Sequence, residues 1–267
     1  MYGEYTADSL LRIKHMQILL TNDDGIYAPG IASLKHYIQD LGTVTVVAPD
    51  IEQSGVGHSI TFNQPLRIRK VHMNNEFIGY GVNGSPADCV KLAVNEIMRE
   101  KPDIVISGLN MGANVGIHIL YSGTVAAAVE ATVMGFSSIA VSFEITEHYD
   151  DIHRTADVAK GIIQRILSHN LPKNLLLNVN IPAIPPDQIK GIKITHQFTQ
   201  DFKEVFQKRI DPSGRAYYWL TGADKSKYHE EGTDLSALRD GYISITPLRY
   251  DRTDYQHHKI IEGWDWQ

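Results

Sequence analysis

The sequence predicts an α/β fold: a Rossmann-like, mostly parallel sheet with helices on both faces, followed by a C-terminal β-rich arm. Three observations lead to this prediction. Short apolar runs alternate with segments of helical periodicity from residue 17 to about residue 180, as in repeated βαβ units. Loops rich in Gly, Asn, Asp and Ser follow several of these runs. Pro182, Pro185 and Pro186 then end the alternation, and β-branched and aromatic segments take over.

The elements of the main sheet can be predicted in order along the chain. The aliphatic run 18–20 is a buried strand that breaks into the turn 21–25, and Pro29 opens a helix with apolar positions at Ile31, Leu34 and Ile38. Residues 66–71 and 77–80 form an antiparallel pair around Asn74-Asn75. The remaining predicted strands are 43–48, 103–107, 138–143 and 175–179, and the remaining predicted helices are 87–99, 124–134 and 152–167.

The last third of the chain has a different pattern. Strands are predicted at 192–196, 205–208, 216–220 and 242–246. We therefore divide the chain into an N-terminal extension (1–15), an α/β core that carries the active site (16–185), and a β-rich arm and tail that serve oligomerisation (186–267).

Composition narrows the function classes. A net charge of −6 argues against a nucleic-acid polymer as partner, because phosphate backbones are met by clustered Lys and Arg. No apolar run approaches the length of a membrane span. A single cysteine, Cys89, excludes an internal disulfide and is typical of a reducing compartment, so a cytoplasmic location is expected.

Two adjacent carboxylates, Asp23 and Asp24, directly follow the first predicted strand. Open α/β sheets bind ligands at the carboxyl ends of their strands. Neighbouring carboxylates repel each other unless a cation or a shared proton relieves the repulsion. The pair therefore indicates a hard divalent metal, although an Asp-Asp-Gly sequence can also form a simple Asx-type turn.

Three further polar loops are predicted at the same edge of the sheet. Residues 49–59 follow the second strand and bring Ser54. Residues 107–116 follow the strand 103–107, and Asn110 or Asn114 can offer an amide oxygen to a metal. Ser122-Gly123-Thr124 opens a helix, either as an ordinary N-cap or as a phosphate site with free N–H groups. Each loop is weak alone, but all four at one edge indicate a single site.

The same residues carry a resemblance to a known family. The segments TNDDGIYAPGI, VVAPDIEQSGVGHSIT, NGSPADCV, ISGLNMGANVG, YSGTVAAAVEA and GTDLSALRDGYISITPL occur in this order between Gln17 and Leu248. They resemble the successive signature blocks of the SurE (survival protein E) family. The resemblance implies a metal-dependent phosphatase that hydrolyses nucleoside 5′-monophosphates, and with them 3′-nucleotides or short polyphosphate.

The resemblance also implies roles for individual residues. One divalent ion per subunit (Mn²⁺, Mg²⁺ or Co²⁺) is held by Asp23, Asp24, Ser54 and Asn110, and among these Asp23, Asp24 and Asn110 are catalytic. Asp24 is also a candidate general base. The family forms dimers or tetramers by exchanging the C-terminal arm, here about 191–246, and Asp234 is expected near a neighbouring subunit's site. The substrate phosphate is placed against Ser107, Asn114, Ser122, Gly123 and Thr124.

Other functions remain open from the sequence. A haloacid-dehalogenase-type phosphatase also has an Asp after its first strand, but it needs a D-x-D spacing, whereas these acids are adjacent. A non-catalytic nucleotide- or metal-binding protein would use the same crevice. A dinucleotide-dependent oxidoreductase is disfavoured because the G-x-G-x-x-G fingerprint is absent after the first strand.

Overall fold

The computed structural model describes residues 16–147, 151–200, 205–221 and 229–266. The predicted extension 1–15 lies outside these residues. The strands follow the predicted order, with bounds that differ by a few residues. They are β1 (Gln17–Thr21), β2 (Thr43–Pro49), β3 (Ile68–Met73), β4 (Glu76–Val82), β5 (Ile104–Met111), β6 (Ser138–Phe143), β7 (Leu176–Ile181), β8 (Ile192–Ile194), β9 (Val205–Ile210), β10 (Ala216–Thr221) and β11 (Ile243–Pro247).

The first four α-helices lie where periodicity predicts them, whereas the last two were not predicted. The α-helices are α1 (Pro29–Ile38), α2 (Pro86–Leu92), α3 (Gly123–Val133), α4 (Ile152–Leu167), α5 (Asp234–Arg239) and α6 (Tyr255–Glu262). Ser85 caps α2 and forms a capping box with Asp88, and the predicted helix 87–99 continues as a π-helical turn at Ala93–Ile97. Short 3₁₀ segments lie at Gly116–Leu120 and Pro186–Gln188.

Nine strands form one sheet in the order β3-β4-β2-β1-β5-β6-β7-β11-β8. The strands from β4 to β7 in this order are parallel, whereas β3 pairs antiparallel with β4 and β11 pairs antiparallel with β7. Asn74 and Asn75 both have positive φ in the β3–β4 turn, as a two-residue hairpin turn requires. The predicted mostly parallel α/β fold is confirmed.

Helices cover both faces of this sheet because strand residues alternate between two cores. Ile18 and Leu20 belong to the core under α1 and α4, whereas Leu19 belongs to the core under α2 and α3. Cys89 lies in that second core and is fully buried. None of the described helices is long and apolar enough to cross a membrane.

The chain after residue 185 contributes to two sheets. Strands β8 and β11 belong to the nine-stranded sheet, so that sheet continues beyond the α/β core predicted to end at residue 185. Strands β9 and β10 form a separate antiparallel hairpin. In the described part of the predicted arm, this hairpin is the segment that does not pair with the main sheet.

Strand β5 is longer than predicted. It runs to Met111, and its register with β6 shifts between Ser107 and Asn110. Asn110 therefore lies in the last part of a strand, opposite Ser142 of β6, and not in a free loop. Backbone pairing on that side fixes the position of Asn110 more firmly than a loop would.

Candidate metal-dependent active site

An open cleft of about 780 Å³ lies at the carboxyl ends of the central parallel strands. This volume is within the range of small-molecule sites. Its position is the one expected for a ligand site in an open α/β sheet. Residues from the loops after β1, β2, β5 and β6 line it, including Asp23, Asp24, Glu52, Ser54, Asn110, Asn114, His118, Tyr121, Ser122 and Glu144.

Asp23 is held at the amino end of α3. Its carboxylate accepts hydrogen bonds from the Thr124 hydroxyl and from the backbone N–H groups of Gly123 and Thr124. Burial raises the pKa of Asp23, since its residue is only 4% exposed, and these hydrogen bonds oppose the rise. The helix N-terminus thus fixes the orientation of the first carboxylate.

Gly123 allows this close approach. A Cβ atom at position 123 would lie 2.7 Å from the Cβ of Asp23 and 2.9 Å from its Oδ2. Both distances are shorter than side chains tolerate. A glycine is therefore required where α3 begins, because any larger residue would displace Asp23.

Asp24 is in a different environment. Its Oδ2 atom is buried and has no hydrogen-bond partner among the residues that the structure describes. Burial, followed by repulsion from Asp23 and Glu52, raises the pKa of Asp24 to about 7. A buried carboxylate oxygen without a partner, beside two further acids, is the arrangement that a bound cation would stabilise.

Ser54 enters the cleft on the loop after β2. Its hydroxyl donates a hydrogen bond to Glu52 Oε1 at 2.7 Å, so the Ser54 oxygen keeps its lone pairs for another partner. The loop is tied to the site by the Gln53 N–H, which donates to the Asp23 carbonyl at 2.7 Å. Glu52 lies in the cleft wall beside Ser54.

Asn110 offers an amide oxygen. Its Nδ2 donates to the carbonyl of Gly112 at 2.6 Å, which fixes the side chain and defines the nitrogen end of the amide. With two carboxylates and a hydroxyl, the donor set consists of oxygen atoms, which suits Mg²⁺ or Mn²⁺ better than Zn²⁺. Among the described residues no group of three or more His, Cys, Asp or Glu could hold a metal ion, so the candidate site depends on Ser54 and Asn110 as well.

The five residues predicted to bind phosphate divide into two sets. Asn114 and Ser122 line the cleft, and the Ser122 hydroxyl also caps α3 by accepting from the Val125 N–H at 3.1 Å. Ser107 is fully buried and its hydroxyl has no partner. Gly123 and Thr124 do not line the cleft. Their N–H groups and the Thr124 hydroxyl donate hydrogen bonds to the Asp23 carboxylate.

Several residues of the cleft were not predicted from the sequence. His118 and Tyr121 come from the 3₁₀ segment and the residue after it, and Glu144 follows β6. No motif marks them, and only the fold brings them to the carboxyl edge. Glu144 extends β6 by one position, a location that the strand-end rule could have identified.

Two other polar residues, Asp234 and His58, do not line the cleft. The Asp234 carboxylate is fully buried and accepts hydrogen bonds from Gly116 N–H at 2.8 Å and Phe198 N–H at 3.0 Å of its own chain. The expectation that Asp234 approaches a neighbouring subunit's site does not fit this burial. His58 Nε2 lies 2.8 Å from Glu130 Oε2, to which it is hydrogen-bonded.

The charge of the cleft limits what can bind there. Four carboxylates line it, from Asp23, Asp24, Glu52 and Glu144, and His118 is the only basic side chain among its described lining residues. A phosphate group would meet net repulsion at such a surface. Binding of an anion therefore requires a cation in the site.

Comparisons with known proteins identify the family. The family model for survival protein SurE matches residues 18–204. The 5′-nucleotidase SurE of Syntrophobacter fumaroxidans is 46% identical over 250 residues, which cover 94% of this chain and 100% of that protein. The 5′-nucleotidase SurE of Geobacter sulfurreducens is 43% identical, covering 94% of each protein. The crystal structure of the SurE protein from Aquifex aeolicus superimposes with a TM-score of 0.81 at 44% identity, covering 92% of this chain and 98% of that one. This chain belongs to the SurE family.

Proposed function

We propose that this protein is a metal-dependent phosphatase that hydrolyses nucleoside 5′-monophosphates to nucleosides and phosphate. The observation that carries the proposal is the cleft itself, where Asp23, Asp24, Ser54 and Asn110 meet at the ends of three strands. The curated relatives named 5′-nucleotidase SurE support the substrate class. No feature of the described residues favours a haloacid-dehalogenase mechanism or a sensor without turnover.

The metal is proposed to be Mn²⁺, Mg²⁺ or Co²⁺, one per subunit, held by the oxygens of Asp23, Asp24, Ser54 and Asn110. Such an ion supplies charge to polarise a phosphoryl oxygen and to lower the pKa of water. The donor chemistry fits for two reasons. The buried Asp24 Oδ2 has no hydrogen-bond partner among the described residues. The Ser54 hydroxyl donates a hydrogen bond to Glu52, so its oxygen keeps lone pairs for a metal. Asp24 is proposed to have a second role as general base.

The substrate is proposed to lie with its phosphate against Asn114 and Ser122, beside the metal ligands. Exposed apolar residues form the outer part of the same cleft: Met111 is 41%, Tyr121 52% and Ile145 42% exposed. Their surfaces are suited to a nucleoside, and the Tyr121 ring offers a stacking face. Gly123 and Thr124 contribute by holding Asp23, and Ser107 contributes from beneath the site.

Self-association through the C-terminal arm is also part of the proposal, as a dimer or a tetramer. One face of the β9–β10 hairpin carries Phe206, Ile210, Tyr218 and Leu220, which are 52–62% exposed. An isolated two-stranded hairpin is at best marginally stable in water. A second copy that covers this face would stabilise it. The single buried thiol, Cys89, is consistent with a reducing compartment such as the cytoplasm.

Phosphate release from AMP, measured with and without added Mn²⁺, tests the activity. Asp23→Asn keeps the shape of the side chain and removes its charge, and we expect it to lower kcat/KM by roughly 10²-fold or more. Asp157→Asn, on an exposed position of α4, is the matched control and should retain full activity. Near-complete activity of Asp23→Asn would overturn the proposal. Near-complete activity of the unsubstituted protein after a chelator has removed the metal would also overturn it.

A further inference from the structure

Strand β7, an interior strand of the sheet, carries two polar side chains. Asn178 and Asn180 are both fully buried, in a strand whose other residues are apolar. An amide moved from water into a protein interior costs free energy unless it is hydrogen-bonded. Two such residues on one face of an interior strand therefore require a specific hydrogen-bond partner.

That partner is the peptide backbone of Asn114. Asn180 Oδ1 accepts from the Asn114 N–H at 2.8 Å, and Asn180 Nδ2 donates to the Asn114 carbonyl at 3.1 Å. Asn178 Nδ2 donates to the same carbonyl at 2.8 Å. The Asn114 side chain is fixed as well, since its Nδ2 donates to Ser142 Oγ at 2.8 Å.

We propose that Asn180, assisted by Asn178, is a positioning residue that fixes Asn114 at the phosphate subsite of the cleft. This inference rests on the proposed function of Asn114. Beyond Met111 the chain leaves the ladder between β5 and β6, so none of the described strands pairs with residue 114. The Asn178 and Asn180 side chains make the hydrogen bonds to the Asn114 backbone that a paired strand would otherwise make.

The chemistry requires an amide at position 180. Only an amide side chain donates and accepts at once with the spacing of a peptide group, whereas a carboxylate accepts only and an aliphatic side chain does neither. Asp at position 180 would place a negative charge beside the Asn114 carbonyl. Position 178 is less demanding, because Asn178 contributes one donor and its Oδ1 has no partner.

The test measures binding of inorganic phosphate to the Mn²⁺-loaded protein by calorimetry, together with Mn²⁺ affinity. For Asn180→Asp we expect phosphate affinity to fall roughly tenfold or more, because a buried hydrogen bond to the loop is lost and a charge is added. Mn²⁺ affinity should stay within about twofold of the unsubstituted protein, because Asn180 does not line the metal site. Ser244→Ala is the matched control: Ser244 lies opposite Asn180 in register, is fully buried and has a hydroxyl without a partner.

A second variant keeps the inference testable if Asn180→Asp does not fold. Asn178→Leu removes one donor without adding charge, and it should weaken phosphate binding by a smaller factor than Asn180→Asp. Unchanged phosphate affinity in the folded variants would overturn the inference, and so would a parallel loss of Mn²⁺ affinity, which indicates general collapse of the site. Absence of phosphate binding by the unsubstituted protein would also overturn it.

Failure of the proposed function looks different. In that case the unsubstituted protein binds phosphate and Mn²⁺ but releases no phosphate from AMP. If instead turnover is normal in both the unsubstituted protein and Asn180→Asp, the positioning role is wrong and the phosphatase assignment stands.

Discussion

At the scale of single residues, the adjacent acids Asp23 and Asp24 have distinct surroundings. Asp23 is satisfied by donors of α3, whereas Asp24 keeps a buried oxygen without a partner. One carboxylate is thus fixed by the protein, and the other is left for a ligand. We infer that Asp24 responds most strongly to a bound metal.

The pH dependence of metal binding follows from this difference. Because the pKa of Asp24 is about 7 in the metal-free protein, a proton competes with the metal below that pH. Mn²⁺ affinity should rise by up to about tenfold per pH unit as pH increases towards 7, and then level off. Calorimetric titration between about pH 5.5 and 8.5 measures this, and Asp24→Asn should remove most of the slope. A flat affinity across this range would contradict the prediction.

The same shift affects the stability of the metal-free protein. The pKa of Asp24 is 3.8 in the unfolded chain and about 7 in the folded protein, so the native state favours the protonated carboxyl. The corresponding stabilisation is present at low pH and is lost as pH rises from about 4 through 7. Bound metal should restore stability above about pH 7, because it binds the ionised form of the folded protein.

Gly123 gives a second prediction at this scale. Gly123→Ala would bring a methyl group within 2.7 Å of Asp23 Cβ, so Asp23 must move. We expect kcat/KM for AMP to fall by at least about tenfold while far-UV circular dichroism stays unchanged, since small misplacements of catalytic groups are costly. Gly161→Ala is the matched control, because nothing lies within 4 Å of the added Cβ. Equal activity of the two variants would contradict the role assigned to Gly123.

The sequence identified site residues whose neighbours lie close to them in the chain. It did not identify contacts between residues that are far apart in the chain. Asp23 and Asp24 could be selected because a strand, a turn and a helix start follow one another within a few residues. The partners of Asn114 lie 64 and 66 residues away on β7, and no spacing rule connects them. Thr124 was predicted as a phosphate contact, but its hydroxyl bonds to Asp23, and that contact depends on the packing of α3.

At the scale of elements, the loop after β2 is anchored on both sides of Ser54. Gln53 N–H bonds to Asp23, and Gly57 N–H donates to the Tyr121 carbonyl at 2.9 Å. Beyond it, His58 meets Glu130, which also pairs with Lys91 at 2.6 Å. Burial raises the pKa of Glu130, but these two partners lower it to a net value below normal. The loop is thereby tied to α2 and α3 while Ser54 remains exposed to the cleft.

Helix α4 offers a test of local stability. Gly161 is an exposed interior position of this helix, where glycine is less favourable than alanine. Gly161→Ala should raise the free energy of unfolding by about 0.5–1 kcal/mol, measured by urea denaturation. Unchanged or reduced stability would show that residue 161 is constrained in a way that the helix geometry does not reveal.

The elements of the α/β core were predictable, but the order of the strands across the sheet was not. Periodicity identified helices and parallel strands because each buries one or both faces in a regular pattern. The position of β11 between β7 and β8, however, depends on contacts between residues far apart in the chain. The extension of β5 to Met111 was hidden because its glycine and asparagine are typical of a loop.

At the scale of the whole molecule, the hairpin indicates how copies could associate. Phe206 and Leu220 lie opposite each other on its apolar face, and each is more than half exposed. Phe206→Lys should shift the protein to a smaller species in sedimentation velocity, because it places a charge in the proposed interface. Asp157→Lys, on an exposed position of α4 outside the hairpin, should leave the mass unchanged. A monomeric unsubstituted protein, or equal masses for all three proteins, would contradict the association proposal.

The central claim is that one hard cation binds between Asp23, Asp24, Ser54 and Asn110. Anomalous diffraction from a crystal soaked in Mn²⁺ tests it most directly. The account predicts one strong peak per subunit within about 2.0–2.5 Å of oxygens from these four side chains. No peak in the cleft, or a peak bound by other residues with these side chains turned away, would contradict it.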